Sequence, residues 1–323
     1  MNILVTGCAG FIGFHLIQKL SKRKNIKIIG IDIINSYYDV ELKLKRLKII
    51  KKINNFSFYK TNINNLLKLK NIFKIHKFDQ VIHLAAQAGV RYSILNPNSY
   101  LENNISGFFN ILECSRNNNI KKLIFASSSS VYGSSKKFPF VEGDNTDYPE
   151  SFYAATKKCN EIMAHSYSKI YDLNCIGLRF FTVYGPYGRP DMALYKFVDS
   201  IYKNKKINLY NYGNHFRDFT YVDDVVNSID KIIDIKKNSR KLYDIFNIGS
   251  NDPVSLKKYL SMIEKIIGKN AKVNLLPFQK GDSLKTHASN EHLFKETSYK
   301  PKTDLLMGLK EFINWYKVYK GIR

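Results

Sequence analysis

The chain has 323 residues, enough for one large domain or for one domain plus a smaller lobe, and its hydrophobic content of 44% is ordinary for a globular protein. Its net charge of +24 could attract nucleic acid, but lysine is spread along the whole chain without a dense basic arm, so no nucleic-acid partner is predicted. The sequence has no run of about 18 apolar residues, no secretory leader and no metal-ligand spacing among its four cysteines and seven histidines, so we expect a cytoplasmic protein with no metal site and no membrane partner.

The first 180 residues alternate apolar, strand-like runs with longer amphipathic segments. Strands are predicted at 3–5, 26–31, 56–59, 80–84, 123–126 and 175–180, and helices near 11–23, 39–52, 64–76, 98–118 and 152–171. Repeated strand–helix–strand units predict an α/β fold, a Rossmann-type doubly wound parallel sheet with helices on both faces. In such a sheet a dinucleotide binds at the carboxyl ends of the strands, where the strand order reverses.

The pattern changes after Phe181. Residues 185–190, Gly-Pro-Tyr-Gly-Arg-Pro, predict a loop, and shorter elements follow it, with a further strand near 243–248. We therefore expect residues 1–181, together with the returning strand, to form the dinucleotide-binding domain. Residues 182–323 are expected to form mainly a smaller, interleaved C-terminal lobe that closes over the substrate.

A glycine-rich turn, Gly7-Cys8-Ala9-Gly10-Phe11-Ile12-Gly13, follows the first predicted strand and opens the first predicted helix. Gly7 permits the tight turn, Gly10 lets the backbone approach a pyrophosphate, and Gly13 lets helix and strand pack closely. The helix N-terminus then offers free N–H groups and a partial positive charge to the phosphates. In this context the turn predicts a dinucleotide site.

Asp32 ends the second predicted strand, 19 residues after Gly13. A carboxylate at this place can accept hydrogen bonds from both hydroxyls of the adenosine ribose. It would also repel a 2′-phosphate, and residues 31–36 contain no arginine to receive one. NAD is therefore predicted in preference to NADP.

Tyr153 and Lys157 are spaced by one helical turn, so they share a helix face. A tyrosine has a pKa near 10 in water, and a neighbouring ammonium favours the phenolate that removes a proton from an alcohol. A run of serines, 127–130, ends the fifth predicted strand and supplies hydroxyls for the reacting oxygen. Each pattern is weak alone, but their order and spacing favour a nicotinamide-dependent enzyme over an amphipathic helix with a surface Tyr and Lys.

These motifs resemble those of the extended short-chain dehydrogenases/reductases of the nucleotide-sugar epimerase and dehydratase group. The resemblance runs nearly end to end and rests on residues 6–13, 32, 83–86, 104, 127–133, 153–157 and 217–224. It implies that Tyr153 is the base, Lys157 its partner and Ser128 an assisting hydroxyl. It also implies an NAD site made of Gly7, Gly10, Phe11, Ile12, Gly13, Asp32, Asn35, Asn62, Ile63, Leu84, Ala85, Asn104, Tyr153, Lys157 and Phe181. Asn62 stands where the family usually has an Asp, but its amide oxygen can still accept a hydrogen bond from the adenine amine.

The residues before Val131 favour one reaction within this group. Nucleotide-sugar dehydratases resemble one another in an Asp-Glu pair there, and UDP-glucuronate decarboxylases have a Glu at the second position. This chain has Ser129 and Ser130 instead. Without the extra acid, oxidation and re-reduction at one carbon fits best, which implies an epimerase.

Residues 34–39, 83–92 and 179–193 closely resemble those of UDP-glucuronate 4-epimerases, which implies a UDP-sugar substrate. By the same resemblance Arg189 would grip the sugar carboxylate, Arg217 the diphosphate and Asp282 the uridine ribose. Arg91, Ser128, Ser129, Ser130 and Thr182 complete the implied substrate site. The resemblance further implies a homodimer paired through the helices near 98–118 and 152–171.

Two alternatives remain open from the sequence. The first is a C4 epimerase that acts on UDP-glucose or UDP-N-acetylglucosamine. The second is a non-catalytic nucleotide- or RNA-binding protein on the same fold, which the positive charge would suit.

Overall fold

The computed structural model describes residues 1–236, 241–279 and 281–322. In chain order the strands are β1 (Asn2–Thr6), β2 (Lys27–Asp32), β3 (Phe56–Lys60), β4 (Gln80–His83), β5 (Lys122–Ser128), β6 (Cys175–Phe180), β7 (Thr182–Tyr184), β8 (Lys206–Leu209), β9 (Phe216–Tyr221), β10 (Tyr243–Ile248), β11 (Pro253–Ser255) and β12 (Lys272–Leu275). The α-helices are α1 (Phe11–Leu20), α2 (Val40–Ile50), α3 (Leu66–His76), α4 (Val90–Leu95), α5 (Pro97–Tyr100), α6 (Gly107–Asn117), α7 (Phe152–Tyr171), α8 (Ala193–Tyr202), α9 (Val222–Ile233), α10 (Leu256–Ile267), α11 (Glu291–Thr297) and α12 (Leu305–Lys320).

Seven strands form one parallel sheet in the order β10-β6-β5-β4-β1-β2-β3. The chain builds outward from β1 through β2 to β3, and then crosses to β4 on the other side of β1. The order therefore reverses between β1 and β4, which is the place where a doubly wound sheet binds its ligand. The predicted α/β fold is confirmed.

Helices cover both faces of this sheet, which explains why its strands are continuous apolar runs. On one face α1, α2 and α9 bury residues such as Phe14, Ile17 and Ile229 against the strands. On the other face α3, α6 and α7 bury residues such as Phe73 and Phe108. Each such side chain contributes roughly 1.5–3 kcal/mol through its burial.

The helix predicted near 98–118 is divided in the structure. Asn96 caps α5 by accepting the N–H of Ser99, and a π-helix at Leu101–Ser106 then leads into α6. Asn104 lies within this wider turn, and its side chain is buried. A 3.6-residue periodicity in the sequence cannot reveal this insertion.

The smaller lobe has its own core between α8, α10, α12 and the β11-β9-β7 sheet. In that core the rings of Phe219 and Tyr259 stack with centroids 3.8 Å apart. The lobe is interleaved with the larger unit, because α9 packs against α1 and β10 returns to the seven-stranded sheet beside β6. Among the described residues no helix is long and apolar enough to cross a membrane.

Candidate active site

A cavity of about 410 Å³ opens between the carboxyl ends of the strands and the smaller lobe. It brings together residues that are far apart in the chain, from the glycine-rich turn to the C-terminal lobe. The predicted site residues on its wall are Gly7, Gly10, Phe11, Ile12, Gly13, Asp32, Asn35, Asn62, Ile63, Leu84, Ala85, Ser128, Ser129, Ser130, Tyr153, Lys157, Phe181, Thr182, Arg189, Arg217 and Asp282.

The glycine-rich turn fits closely against its neighbours. Gly7 has φ +71, and a Cβ there would lie 2.8 Å from the backbone nitrogen of Ala85. A Cβ at Gly13 would lie 2.3 Å from the carbonyl oxygen of Gly7. The first turn of α1 holds no acidic side chain, and its free N–H groups present a partial positive charge to the cavity.

Asp32 connects the turn to the neighbouring loop. Its carboxylate accepts the N–H of Ala9 at 3.0 Å and the N–H of Ile34 at 2.9 Å. Burial raises the pKa of Asp32, and these two backbone hydrogen bonds oppose that effect. The carboxylate is thus held in place on the cavity wall, as a ribose-binding group requires.

Lys43 is a cavity residue that the sequence analysis missed. Its ammonium donates to the backbone oxygen and to the side-chain oxygen of Asn35, both at 2.6 Å. Burial lowers the pKa of Lys43 to about 8, and the charge of Asp32 opposes that shift. Nothing in the local sequence pattern of α2 distinguishes this lysine from its exposed neighbours. Its position on the cavity wall follows only from the way the helix packs.

Ser128 leaves the sheet at the end of β5 and caps the following 3₁₀ turn. Its hydroxyl accepts the N–H of Ser130 at 3.2 Å and the hydroxyl of Ser130 at 2.8 Å. Tyr153 lies in the first turn of α7, a helix that begins where the Ser151 hydroxyl accepts the N–H of Ala154. The end of β5 and the start of α7 therefore meet on the cavity wall.

Tyr153 and Lys157 share one face of α7, but they contact different partners. Burial raises the pKa of Tyr153, and the Ser128 hydroxyl and the charge of Arg189 oppose it. Lys157 instead donates to the carbonyl oxygen of Ala126 at 2.9 Å, and burial lowers its pKa to about 8. In the structure the groups that oppose the raised pKa of Tyr153 are thus the Ser128 hydroxyl and the charge of Arg189, while the side chain of Lys157 extends toward β5.

Arg189 lies on the cavity wall in a pair with Asp191. Its Nε donates to Asp191 Oδ1 at 3.0 Å and its Nη2 donates to Oδ2, while Tyr37 donates to the same Oδ2 at 3.2 Å. The pair uses two of the five N–H donors of the guanidinium. Arg189 therefore reaches the cavity with its orientation already set.

The loop that carries Arg189 is fastened to the dinucleotide half of the molecule. The fully buried guanidinium of Arg46 donates to the carbonyl oxygen of Tyr187 and, at 3.0 Å, to that of Ala9. His15 donates from Nε2 to the carbonyl oxygen of Pro186 at 2.9 Å. Burial lowers the pKa of His15 to about 4, so its ring is neutral at pH 7. Arg46 thus links the glycine-rich turn directly to the Arg189 loop.

The far end of the cavity contains Arg217 and Asp282. Arg217 donates from Nη2 to Asp282 Oδ1 at 2.6 Å, across 65 residues of sequence. Burial lowers the pKa of Arg217, and the charge of Asp282 opposes that shift. Arg217, predicted to contact the diphosphate, is therefore hydrogen-bonded to Asp282, predicted to contact the uridine ribose.

Two predicted residues, Asn104 and Arg91, are not on the cavity wall. Asn104 accepts the N–H of Gln87 at 2.8 Å and donates to its carbonyl at 3.0 Å, so its amide holds the loop after β4. Arg91 has its guanidinium 4.3 Å from the ring centre of Tyr210. The amide of Asn104 is occupied by these contacts, whereas Arg91 is exposed beside Tyr210 and its contact with a substrate stays a prediction.

The donor set of the cavity fits a dinucleotide, with a helix N-terminus and glycine turn for the phosphates and Asp32 for a ribose. Residues 3–249 match the model of the NAD dependent epimerase/dehydratase family. This chain belongs to that family. The resemblance stated from the sequence and the NAD cofactor are thereby confirmed.

Similar proteins come from several organisms. UDP-glucuronate 4-epimerase 2 of Arabidopsis thaliana is 44% identical over 99% of this chain and 76% of its own length. The Bacillus cereus UDP-glucuronic acid 4-epimerase, solved with UDP-glucuronic acid and NAD, has a TM-score of 0.93 and 34% identity over 99% of this chain and 100% of its own. The Thermotoga maritima UDP-glucose 4-epimerase, solved with UDP-glucose, has a TM-score of 0.89 and 30% identity over the same shares.

Proposed function

We propose that this protein is an NAD-dependent 4-epimerase that interconverts UDP-glucuronate and UDP-galacturonate. The observation that carries the proposal is the wall of the cavity, where Tyr153 and Ser128 lie in one space with the cation of Arg189. The first two groups suit proton transfer at a carbinol, and the third suits a sugar carboxylate. The likeness to named UDP-glucuronate 4-epimerases supports the same substrate.

The chain's own residues would carry the proton and orient the sugar. Bound NAD supplies the hydride acceptor and afterwards the donor. Tyr153 takes the proton of the C4 hydroxyl, and Ser128 holds the reacting oxygen by a hydrogen bond. The resulting 4-keto sugar turns about its diphosphate and presents its other face, and Tyr153 returns the proton when C4 is reduced.

Arg189 would bind the uronate carboxylate with the donors that its pair with Asp191 leaves, and Thr182, Ser129 and Ser130 add hydroxyls on the same wall. A charge-assisted hydrogen bond is worth about 1.5–3 kcal/mol. The 4-keto uronate is a β-keto acid that can lose CO₂, and a fixed carboxylate orientation would restrain that loss. At the far end Arg217 and Asp282 would contact the diphosphate and the uridine ribose.

The proposal is tested by incubating the purified protein with UDP-glucuronate and resolving the nucleotide sugars by chromatography. We expect UDP-galacturonate to form, with the Tyr153→Phe variant as the inactive control. UDP-glucose and UDP-N-acetylglucosamine are assayed in parallel. Conversion of either of these without conversion of UDP-glucuronate would refute the uronate assignment and favour the alternative epimerase.

The role of Arg189 is tested with the Arg189→Ala variant. The loss of a charge-assisted hydrogen bond worth about 1.5–3 kcal/mol corresponds to a roughly 10- to 150-fold rise in KM for UDP-glucuronate. A rise in decarboxylated pentose by-product is expected as well. Clean product with unchanged KM would remove Arg189 from the carboxylate site. Arg23→Ala, which removes a guanidinium paired with Asp234 outside the cavity wall, serves as the matched loss of a positive charge.

We also propose a cytoplasmic homodimer that pairs α6 and α7 with those of a second copy. The exposed side of these helices carries Phe109, Ile162 and Ile170, which are large apolar residues. The four cysteines are free thiols, in keeping with a reducing compartment. Light scattering after gel filtration should give twice the chain mass, and Ile162→Asp should give the monomer. A monomeric wild-type protein would refute this assembly.

A further inference from the structure

Behind the Tyr153–Lys157 pair lies a buried carboxylate that the proposed chemistry has not used. Glu161 follows Lys157 by one helical turn, so Tyr153, Lys157 and Glu161 form one row along α7. The side chain of Glu161 is only 4% exposed and that of Lys157 is also buried. A carboxylate at such a site stays charged only when it is paired and hydrogen-bonded.

Glu161 has those partners in the two strands beneath α7. Arg179 in β6 donates from Nε and Nη2 to its two oxygens, each at 2.9 Å, and Ser127 in β5 donates its hydroxyl to Oε1. Ser127 and Arg179 are opposite each other in the β5–β6 register. Glu161 therefore fastens α7 to both strands, directly beside the point where Ser128 leaves the sheet.

The same carboxylate is the anion nearest to Lys157 in the helix row. Tyr153 and Glu161 flank Lys157 on its own helix, and the Ala126 carbonyl faces it from β5. His83 faces it from β4, and Arg179 of β6 lies beyond Glu161. Burial lowers the pKa of His83 to about 3, so that ring is neutral. Burial also lowers the pKa of Lys157 to about 8, and Glu161 opposes the shift.

We propose that Glu161 is a positioning residue that aligns Tyr153 with Ser128 and keeps Lys157 in its ammonium form. The inference rests on the role proposed for Tyr153 and on the implied role of Lys157 as its partner. It adds a function for Glu161, which would otherwise be a structural ion pair alone. Without the negative charge of Glu161, Lys157 and Arg179 would be two buried cations with no anion between them.

The direction of the effect follows from the charge. An ammonium exists below its pKa, so a lower Lys157 pKa means that the charge is lost at a lower pH. Replacing Glu161 by glutamine removes the attraction of a neighbouring buried anion, which corresponds to a shift of about one pH unit or more. The alkaline loss of activity should therefore begin about one pH unit lower than in the wild type.

The decisive measurement is the titration of Lys157 itself by NMR, in NAD-bound protein with ¹³Cε-labelled lysine. Lys157→Met identifies the signal. We expect the Lys157 pKa to fall by about one unit in Glu161→Gln. It should not move in Glu113→Gln, a carboxylate that contacts α7 through the hydroxyl of Tyr167. An unchanged Lys157 pKa in folded Glu161→Gln would overturn the proposal.

A second variant covers the case in which Glu161→Gln fails to fold. Glu161→Gln/Arg179→Gln removes both charges of this pair, so that no guanidinium is left buried without its carboxylate. The Lys157 pKa should still fall, by less than in the single variant, and an unchanged value in the double variant would likewise overturn the proposal. A purely structural role would lower turnover equally at every pH. If the wild type does not convert UDP-glucuronate, the proposed function fails, while the NMR titration still decides the role of Glu161.

Discussion

Replacing Gly13 by alanine should disrupt the turn that faces NAD. A Cβ at this position would lie 2.3 Å from the carbonyl oxygen of Gly7 and 3.0 Å from the Cα of Cys8. Both are backbone atoms, so neither can rotate away. Because non-bonded heavy atoms are most stable at about 3.5–4.0 Å, the turn and α1 would have to separate by roughly 1 Å.

The cost of that separation can be estimated from tightly packed sites. Overpacking destabilises proteins by about 1–3 kcal/mol, which at about 2–4 °C per kcal/mol lowers the Tm by roughly 2–12 °C. The strain lies in the turn that must present its N–H groups to the pyrophosphate. If about 1.4 kcal/mol of this strain energy opposes the turn conformation that binds NAD, the affinity for NAD falls tenfold.

Gly143→Ala is the matched control, because a Cβ at Gly143 would meet no atom within 4 Å. Calorimetry gives the Tm of both variants, and the NAD released by acid after gel filtration gives the cofactor content. We expect Gly13→Ala to lose both stability and NAD and Gly143→Ala to keep both. Equal NAD content, with a Tm within about 1 °C of the control, would refute the steric argument.

Three further predictions concern other parts of the molecule. Tyr153→Phe should retain NAD but lose about 10²- to 10⁴-fold in turnover, and near-normal turnover would end its role as base. Arg46→Met leaves buried carbonyls unpaired and should lower the free energy of unfolding in urea by about 2–4 kcal/mol, whereas Lys48→Met, exposed on the same helix, should stay within about 0.5 kcal/mol. The hydrogen bond that His292 donates to Asp244 raises the pKa of His292, so this stabilisation is complete below about pH 6.5 and is lost as pH rises through the higher folded value. If the Tm of His292→Asn declines over this pH range by as much as the Tm of the wild type, the assignment of this pH dependence to His292 is contradicted.

Much of the dinucleotide half could be predicted because its signals are local. The spacing of Gly7, Gly10 and Gly13 after an apolar run, and the position of Asp32 at the end of the next one, follow from the geometry of one strand–helix–strand unit. The same holds for Tyr153 and Lys157, since four residues always return a helix to the same face. These patterns survive in any tertiary packing, which is why the sequence alone predicted the fold and the cofactor.

The contacts of the site depend instead on which faces meet when the chain folds. Arg217 contacts Asp282 across 65 residues of sequence, and Arg46 contacts Tyr187 across 141 residues. Glu161 in α7 contacts Arg179 in the strand β6 beneath it. No period or local motif encodes such pairings. Asn104 lies in a π-helical turn that the sequence pattern did not predict, and its amide holds the loop after β4. Backbone periodicity thus determines the elements, and the burial of charged side chains between them determines which partner each one has.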